Sequence, residues 1–449
     1  MQETIDAPAN AAAPPAAAPA PAKHADLLGT ASPELSRAGA KRVHYPALDG
    51  LRGLAILMVI TCHYVLFFKF SSVWAASLAA IGGNGNIGVD LFFVLSGFLI
   101  TGILIDARGR RNYFRNFYAR RTLRIFPLYY GFLAVILAIC LAAKAGHPVA
   151  FKHHINDLWV LQPWLWTYTL NFRFMIPREG AFLVPHFWTL AIEEQFYLFW
   201  PMVVLNTTNK GLVRVCALIV AGSLVLRFAM SALGFTGLAI FVFTPCRADA
   251  FAAGALVAVL LRADVNRARL TGAATWVGVA SGILAAAALI IIPAWHFLSL
   301  RGLGAVGGGE LRRAAALPAP VSDFLYTVLA FLFAALIVLV LCRPTGRLGR
   351  ACSFTPLRVV GGYSYAIYIF HLPVWVVTTG LLARYGLVRA VQQSTALGWA
   401  FASGNIMLVF LVAFLSFHLY EKHFLKLKKY FPETGPRAAA VAGDGAAAR

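Results

Sequence analysis

The chain is a succession of apolar runs, each about the length of a membrane-spanning helix, joined by short connections rich in arginine and lysine. About twenty apolar residues cross the hydrocarbon layer as a helix, which bonds all of its own backbone polar groups where no water can. A membrane barrel would need alternating apolar and polar residues, and these runs do not alternate. The fold expected is all-α and polytopic. Composition agrees: 60% of 449 residues are hydrophobic, 13% are charged, and mean hydropathy is +0.72. Those values lie outside the range of soluble domains.

About ten spans are expected, beginning near Leu48, Ile87, Pro127, His186, Leu212, Pro245, Thr271, Val321, Val360 and Trp399. Residues 1–44 read as a disordered Ala/Pro-rich leader, 45–421 as the transmembrane domain, and 422–449 as a basic, then Ala-rich, cytoplasmic tail. No cleavable secretory signal is expected, because the first apolar run follows the leader and is long enough to span. The net charge of +21 does not point to nucleic acid, since the cations sit in short connections where they orient a bilayer protein. Arg108, Arg110, Arg111, Arg115, Arg120, Arg121 and Arg124 place the second connection in the cytoplasm. Counting from there puts both termini inside. Residues 155–172 are apolar but carry Asn156, Asp157, Gln162 and Pro163, and crossing there would break the alternation of basic loops. That segment reads as an interfacial element of an outer loop, with Trp159, Trp164 and Trp166 forming an aromatic belt. The six cysteines show no metal-ligand spacing and no disulfide framework.

The first span carries the most informative pair. Arg52 and His63 are eleven residues apart, hence on nearly one helical face and roughly 16 Å apart. Ionisable groups in lipid are costly, which favours a task for them. The plainer alternative is a snorkelling cation and a histidine packed between helices. With the amino terminus inside, Arg52 lies near the cytoplasm and His63 in the outer half of the bilayer. A long phosphate-bearing donor such as coenzyme A suits that spacing. Arg121 and Arg124 share a face and Arg120 is four residues from Arg124, so their guanidinium forks form a candidate phosphate cradle. Simple positive-inside anchoring is the alternative.

In HFWTLAIEEQFYLFWP, Glu193 and Glu194 lie about 10 Å below the start of the span, near the depth of His63. One of them could fix the imidazole tautomer or hold its charge; a structural ion pair is the alternative. Asp90 reads as a structural salt bridge, Arg247 and Asp249 as a tight local pair, and His371 as packing or cavity lining. Cys62 diverges from His63 by about 100° and is discounted as a nucleophile.

Taken in order, LDGLRGLAIL with His63, GVDLFFVLSGFLIT, RRTLRIFPLYY, WTLAIEEQFYLFWP and SYAIYIFHLP resemble the acyltransferase-3 family of integral membrane acyltransferases, over about Tyr45 to Tyr420. The resemblance implies a ten-helix enzyme of the bacterial inner membrane. It would move an acyl group, usually acetyl, from cytoplasmic acyl-CoA to a hydroxyl of a cell-surface glycan, glycolipid or small molecule, with no metal. It maps the family's helix-1 arginine and histidine onto Arg52 and His63, its arginine pair onto Arg121 and Arg124 beside Arg120, and its acidic motif onto Glu193 and Glu194. Some members carry a further extracytoplasmic domain; none is expected here, so a separate extracytoplasmic partner is open. The competing expectation is a transporter or flippase of a glycan or lipid intermediate.

Overall fold

The computed structural model describes residues 45–65, 82–83, 85–146, 155–176, 184–263, 265–291 and 319–432. The leader expected at 1–44 and the Ala-rich end of the tail lie outside these residues. The main helices are α1 (Pro46–Val65), α2 (Ile87–Asp106), α3 (Tyr113–Lys144), α4 (Ile155–Trp166), α5 (Trp188–Leu205), α6 (Asn209–Ala232), α7 (Thr244–Leu260), α8 (Arg267–Ala286), α9 (Ala319–Cys342), α10 (Thr355–Gly362), α11 (Ser364–Arg384) and α12 (Thr395–Ser416). Among the described residues, eight helices are long and apolar enough to cross a membrane: α1, α2, α3, α6, α8, α9, α11 and α12. The protein is thus all-α and polytopic. The other two predicted segments form helices that fall short of that measure. Two carboxylates and a glutamine dilute α5, and α7 has only 17 residues.

Two boundaries differ from expectation. Pro127 does not open the third span but lies inside α3, which starts fourteen residues earlier at Tyr113. A proline within a membrane helix is tolerated where local adjustment and neighbours satisfy the freed backbone groups; the Pro127 carbonyl itself accepts from the Tyr420 hydroxyl at 3.2 Å, which ties α3 to the carboxy-terminal segment. Val360 belongs to the short α10, and the ninth long run begins after a break at Tyr363. The segment read as interfacial forms α4, 12 residues and therefore about 18 Å, too short to span. It is fastened to α3 by Tyr129 and Tyr130, whose hydroxyls donate to the carbonyls of Leu165 (2.8 Å) and Trp166 (3.1 Å).

Glycines set two tight crossings. A Cβ on Gly97 of α2 would sit 2.1 Å from the Phe251 carbonyl oxygen, and one on Gly254 of α7 would sit 2.0 Å from that of Val94. Gly53 of α1 and Gly361 of α10 face backbone carbonyls just as closely. Between lipid-embedded helices there is little hydrophobic drive, so close backbone approach and van der Waals contact carry the association.

Polar groups inside the bundle pair across helices. Arg247 and Asp249 do not form the expected local pair, because residues two apart on a helix face away from each other. Arg247 bonds Asp90 of α2, whereas Asp249 bonds Arg227 of α6 at 2.9 Å and the Thr327 hydroxyl of α9 at 2.8 Å. Asp90 thus has the structural partner expected of it. The six cysteines are free.

Candidate active site

Helices α1, α2, α3, α5 and α11 enclose a cavity of about 110 Å3 lined by Arg52, Arg121, Arg124, Glu193, Glu194 and Tyr197, among others. The cations come from two helices and the carboxylates from a third, so only tertiary packing brings them together. The Arg52 guanidinium is oriented by Asp49, one turn earlier, at 3.0 Å. Arg121 lies over the Tyr197 ring, 5.6 Å from its centroid. Glu193 accepts hydrogen bonds at one oxygen from both Ser96 and Tyr197, whose hydroxyls are also 2.8 Å apart. Glu194 has a buried oxygen, Oε1, with no partner among the described residues. Leaving a buried carboxylate oxygen unbonded is costly, and such a group beside a cavity marks a working site more often than a structural one.

Arg121 and Arg124 also line a second, smaller cavity of about 40 Å3, together with Arg110, Arg111, Arg120 and Lys428. This basic vestibule is continuous in its lining with the first cavity and presents six cations to an anion. Arg120 also anchors the carboxy-terminal segment, donating to the carbonyls of Lys428 (3.2 Å) and Phe431 (3.1 Å). Sequence reasoning placed Lys428 only in a basic tail; its position beside α3, some 300 residues distant in the chain, could not be read from spacing.

His63 lies outside the cavity lining, within a cluster of three imidazoles. Its ring centroid is 5.1 Å from that of His371 on α11, which is in turn 4.7 Å from His186 at the head of α5. The His63 Nδ1–H donates to the Val59 carbonyl at 2.8 Å, which leaves the lone pair on Nε2. The Val59 carbonyl thus orients the Nδ1 side of the ring. His371 repeats the pattern, with Nδ1–H donating to Tyr368 at 2.8 Å and a buried Nε2 without a partner. Both ring nitrogens of His186 are buried and without a hydrogen-bond partner among the described residues. His186 was expected only as the start of a span, because its neighbours come from helices far away in sequence. Tyr368 and Thr189, bonded to each other, line the cavity, and Tyr368 also donates to the His186 carbonyl at 2.8 Å. That hydroxyl pair borders the arginine-lined cavity, and the Tyr368 ring lies 5.2 Å from that of His186 and 5.5 Å from that of His371.

Fold and site define a multi-pass membrane protein with a basic vestibule, an adjoining cavity lined by arginines and carboxylates, and a cluster of three imidazoles. The model of a family described as an acyltransferase domain matches residues 45–420, and the chain belongs to that family, acyltransferase-3. It is 30% identical over 351 residues to YrhL of Bacillus subtilis, provisionally named a peptidoglycan O-acetyltransferase, with 75% of this chain and 49% of that protein covered. It is 26% identical over 399 residues to the peptidoglycan O-acetyltransferase OatA of Listeria monocytogenes, covering 85% and 56% respectively. The chain thus spans about half the length of these relatives. No solved structure matches it. The protein is a multi-pass component of the bacterial cell membrane.

Proposed function

We propose that this chain is an O-acyltransferase that moves an acyl group, most simply acetyl, from acyl-CoA to a hydroxyl of a cell-surface glycan. The observation that carries the reading is the convergence of Arg52, Arg121, Arg124, Glu193 and Glu194 on one cavity that shares two arginines with a basic vestibule. The relatives named as peptidoglycan O-acetyltransferases support acetyl as the group and a peptidoglycan-like glycan as the acceptor. In this reading α5 and α7 also cross the bilayer, making ten spans, and both termini and the vestibule face the cytoplasm.

The donor's phosphates bind the vestibule guanidinium groups bidentately, and its thioester arm enters the cavity. There it meets Tyr368 and Thr189 before it meets the histidines, so parting of that hydroxyl pair admits the thioester to His63. The acceptor arrives from the opposite side. His63 Nε2 takes the hydroxyl proton as the oxygen attacks the thioester carbonyl. The C–O bond forms, the C–S bond breaks, and the departing thiolate of coenzyme A takes a proton. In the two-step form, His63 Nε2 attacks the thioester carbonyl and the C–S bond breaks, releasing coenzyme A as thiolate; the acceptor oxygen then attacks the acyl-imidazole, the C–N bond breaks, and the hydroxyl proton passes to the freed Nε2. Glu193 and Glu194 supply negative charge beside the arginines once the donor has left. Neither form requires a separate extracytoplasmic protein to carry the acyl group onward.

The test is a transfer assay with radiolabelled acetyl-CoA, the full chain in sealed membrane vesicles, and glycan recovered from the opposite face. Label in the glycan, lost with His63→Ala, is the expected result. Glycan translocated without consumption of acetyl-CoA would replace this reading with a flippase.

A further inference from the structure

A depression of about 510 Å3 opens between the carboxy-terminal end of α6 and the amino-terminal end of α9, bordered by Asn86 at the head of α2. The vestibule is lined by Ile103, Leu104 and Ala107 at the other end of α2. The two sites are therefore separated by most of a 20-residue helix, roughly 25–30 Å. The depression lies toward the end of α1 that bears His63. Cys62, next to His63, donates to the Gly83 carbonyl at 2.9 Å, and Gly85 packs against the Met58 carbonyl, so the residues just before Asn86 lie against the carboxy-terminal half of α1.

We propose that this depression seats the acceptor, and that it takes a neutral sugar through the Asp323 carboxylate, the Tyr326 hydroxyl and ring, and the Asn86 amide. Asp323 is 2% exposed yet lines the depression. Ser231 donates to its Oδ2, while Arg227 donates to its backbone carbonyl and not to its side chain. That leaves Oδ1 without a donor among the described residues, as a sugar hydroxyl would find it. The Tyr326 ring has a guanidinium over it: Arg247, wholly buried, lies 4.1 Å from its centroid and 5.2 Å from that of Phe241. Two nitrogens of Arg247 have no hydrogen-bond partner among the described residues, and these rings pack against the guanidinium beside its bond to Asp90. Phe235, Leu238, Ile240 and Phe241 supply apolar wall. A few polar groups converging on an aromatic, mostly apolar wall is the usual chemistry of a small-molecule seat. The buried network holds two cations, Arg227 and Arg247, against the carboxylates of Asp90, Asp249 and Asp323. One negative charge is left over, which repels an anionic sugar. Tyr326 and Asn86 add only neutral hydrogen-bonding groups, which fit hydroxyls and amides.

What the seat is for rests on the acyl-transfer reading; what it binds does not. The experiment measures binding of three trisaccharides to the full chain in nanodiscs: neutral N-acetylglucosamine, cationic glucosamine and anionic galacturonic acid. Acetyl-CoA binding is measured on the same samples. The neutral trimer is expected to bind, with affinity reduced about tenfold by Asp323→Asn and severalfold by Tyr326→Ala and Asn86→Ala. Arg124→Ala should leave it unchanged while weakening acetyl-CoA binding. Asp323→Asn keeps an acceptor for Ser231, so the local fold is spared, and unchanged acetyl-CoA binding in that variant verifies it. The proposal is overturned if no neutral trimer binds, if the cationic trimer binds more tightly, or if the three variants bind like wild type. Failure of acetyl-CoA to bind, with sugar binding intact, would sink the acyl-transfer reading alone.

Discussion

His63 and His371 face each other from α1 and α11 with ring centroids 5.1 Å apart, and each imidazole gives its Nδ1–H to a carbonyl of its own helix. A half-buried and a fully buried imidazole are thereby both oriented with the lone pair on Nε2.

Replacing His63 with alanine is expected to lower turnover by about 10²–10⁴-fold, the usual contribution of a positioned general base. Membrane insertion and acetyl-CoA binding should be unchanged. Radiolabel transfer measured beside a binding isotherm checks this; wild-type turnover would remove the histidine from the mechanism.

Arg124→Ala should raise the apparent KM for acetyl-CoA by about 10–100-fold, as loss of a charge-assisted contact implies. Arg124→Lys should recover only part of it, since a point charge cannot replace a bidentate fork. A donor KM that ignores both changes would argue that the arginine serves only to orient the chain in the bilayer.

His371→Ala is expected to reduce kcat several-fold and leave donor KM where it was, because the ring touches His63 and not the arginine-lined cavity. Steady-state kinetics with both substrates varied will separate these. A rise in donor KM with kcat intact would place the ring in the donor path.

Breaking the Arg247–Asp90 pair by Asp90→Ala should destabilise the bundle by about 3–5 kcal/mol, since it strands a buried cation. The double change Asp90→Leu with Arg247→Leu should recover much of the loss. Thermal unfolding in detergent, followed by retention of a monodisperse species, provides the measurement. Equal damage from the single and double variants would contradict the pairing.

Gly254→Val should prevent the α2–α7 crossing, because even a Cβ there would meet the Val94 carbonyl oxygen at 2.0 Å. A marked fall in folded yield is expected, whereas Gly272→Val, in open space on α8, should be tolerated. Comparable yields for the two would show that the crossing is looser than described.

Much of this protein is legible in its sequence. Lipid forces each spanning segment to satisfy its own backbone, so apolar runs near Leu212, Pro245 and Val321 announce helices that start within a few residues of those positions. The cost of ionisable groups in lipid likewise singles out Arg52, His63, Arg124, Glu193 and Glu194 before any fold is known. The break at Tyr363 and the helical placement of Pro127 were not legible, because both depend on neighbours that satisfy the backbone locally.

What tertiary structure alone decided is which polar group meets which. Spacing along one helix cannot say that Arg247 reaches Asp90 while Asp249 reaches Arg227, or that His186, His371 and His63 share one buried site. Those contacts join residues up to 308 positions apart, and their geometry is set by glycine-tight crossings and by the rotation of each helix about its axis. A helix can turn its polar stripe toward several neighbours without changing its hydropathy. Only packing against carbonyls and rings on the other helices selects one.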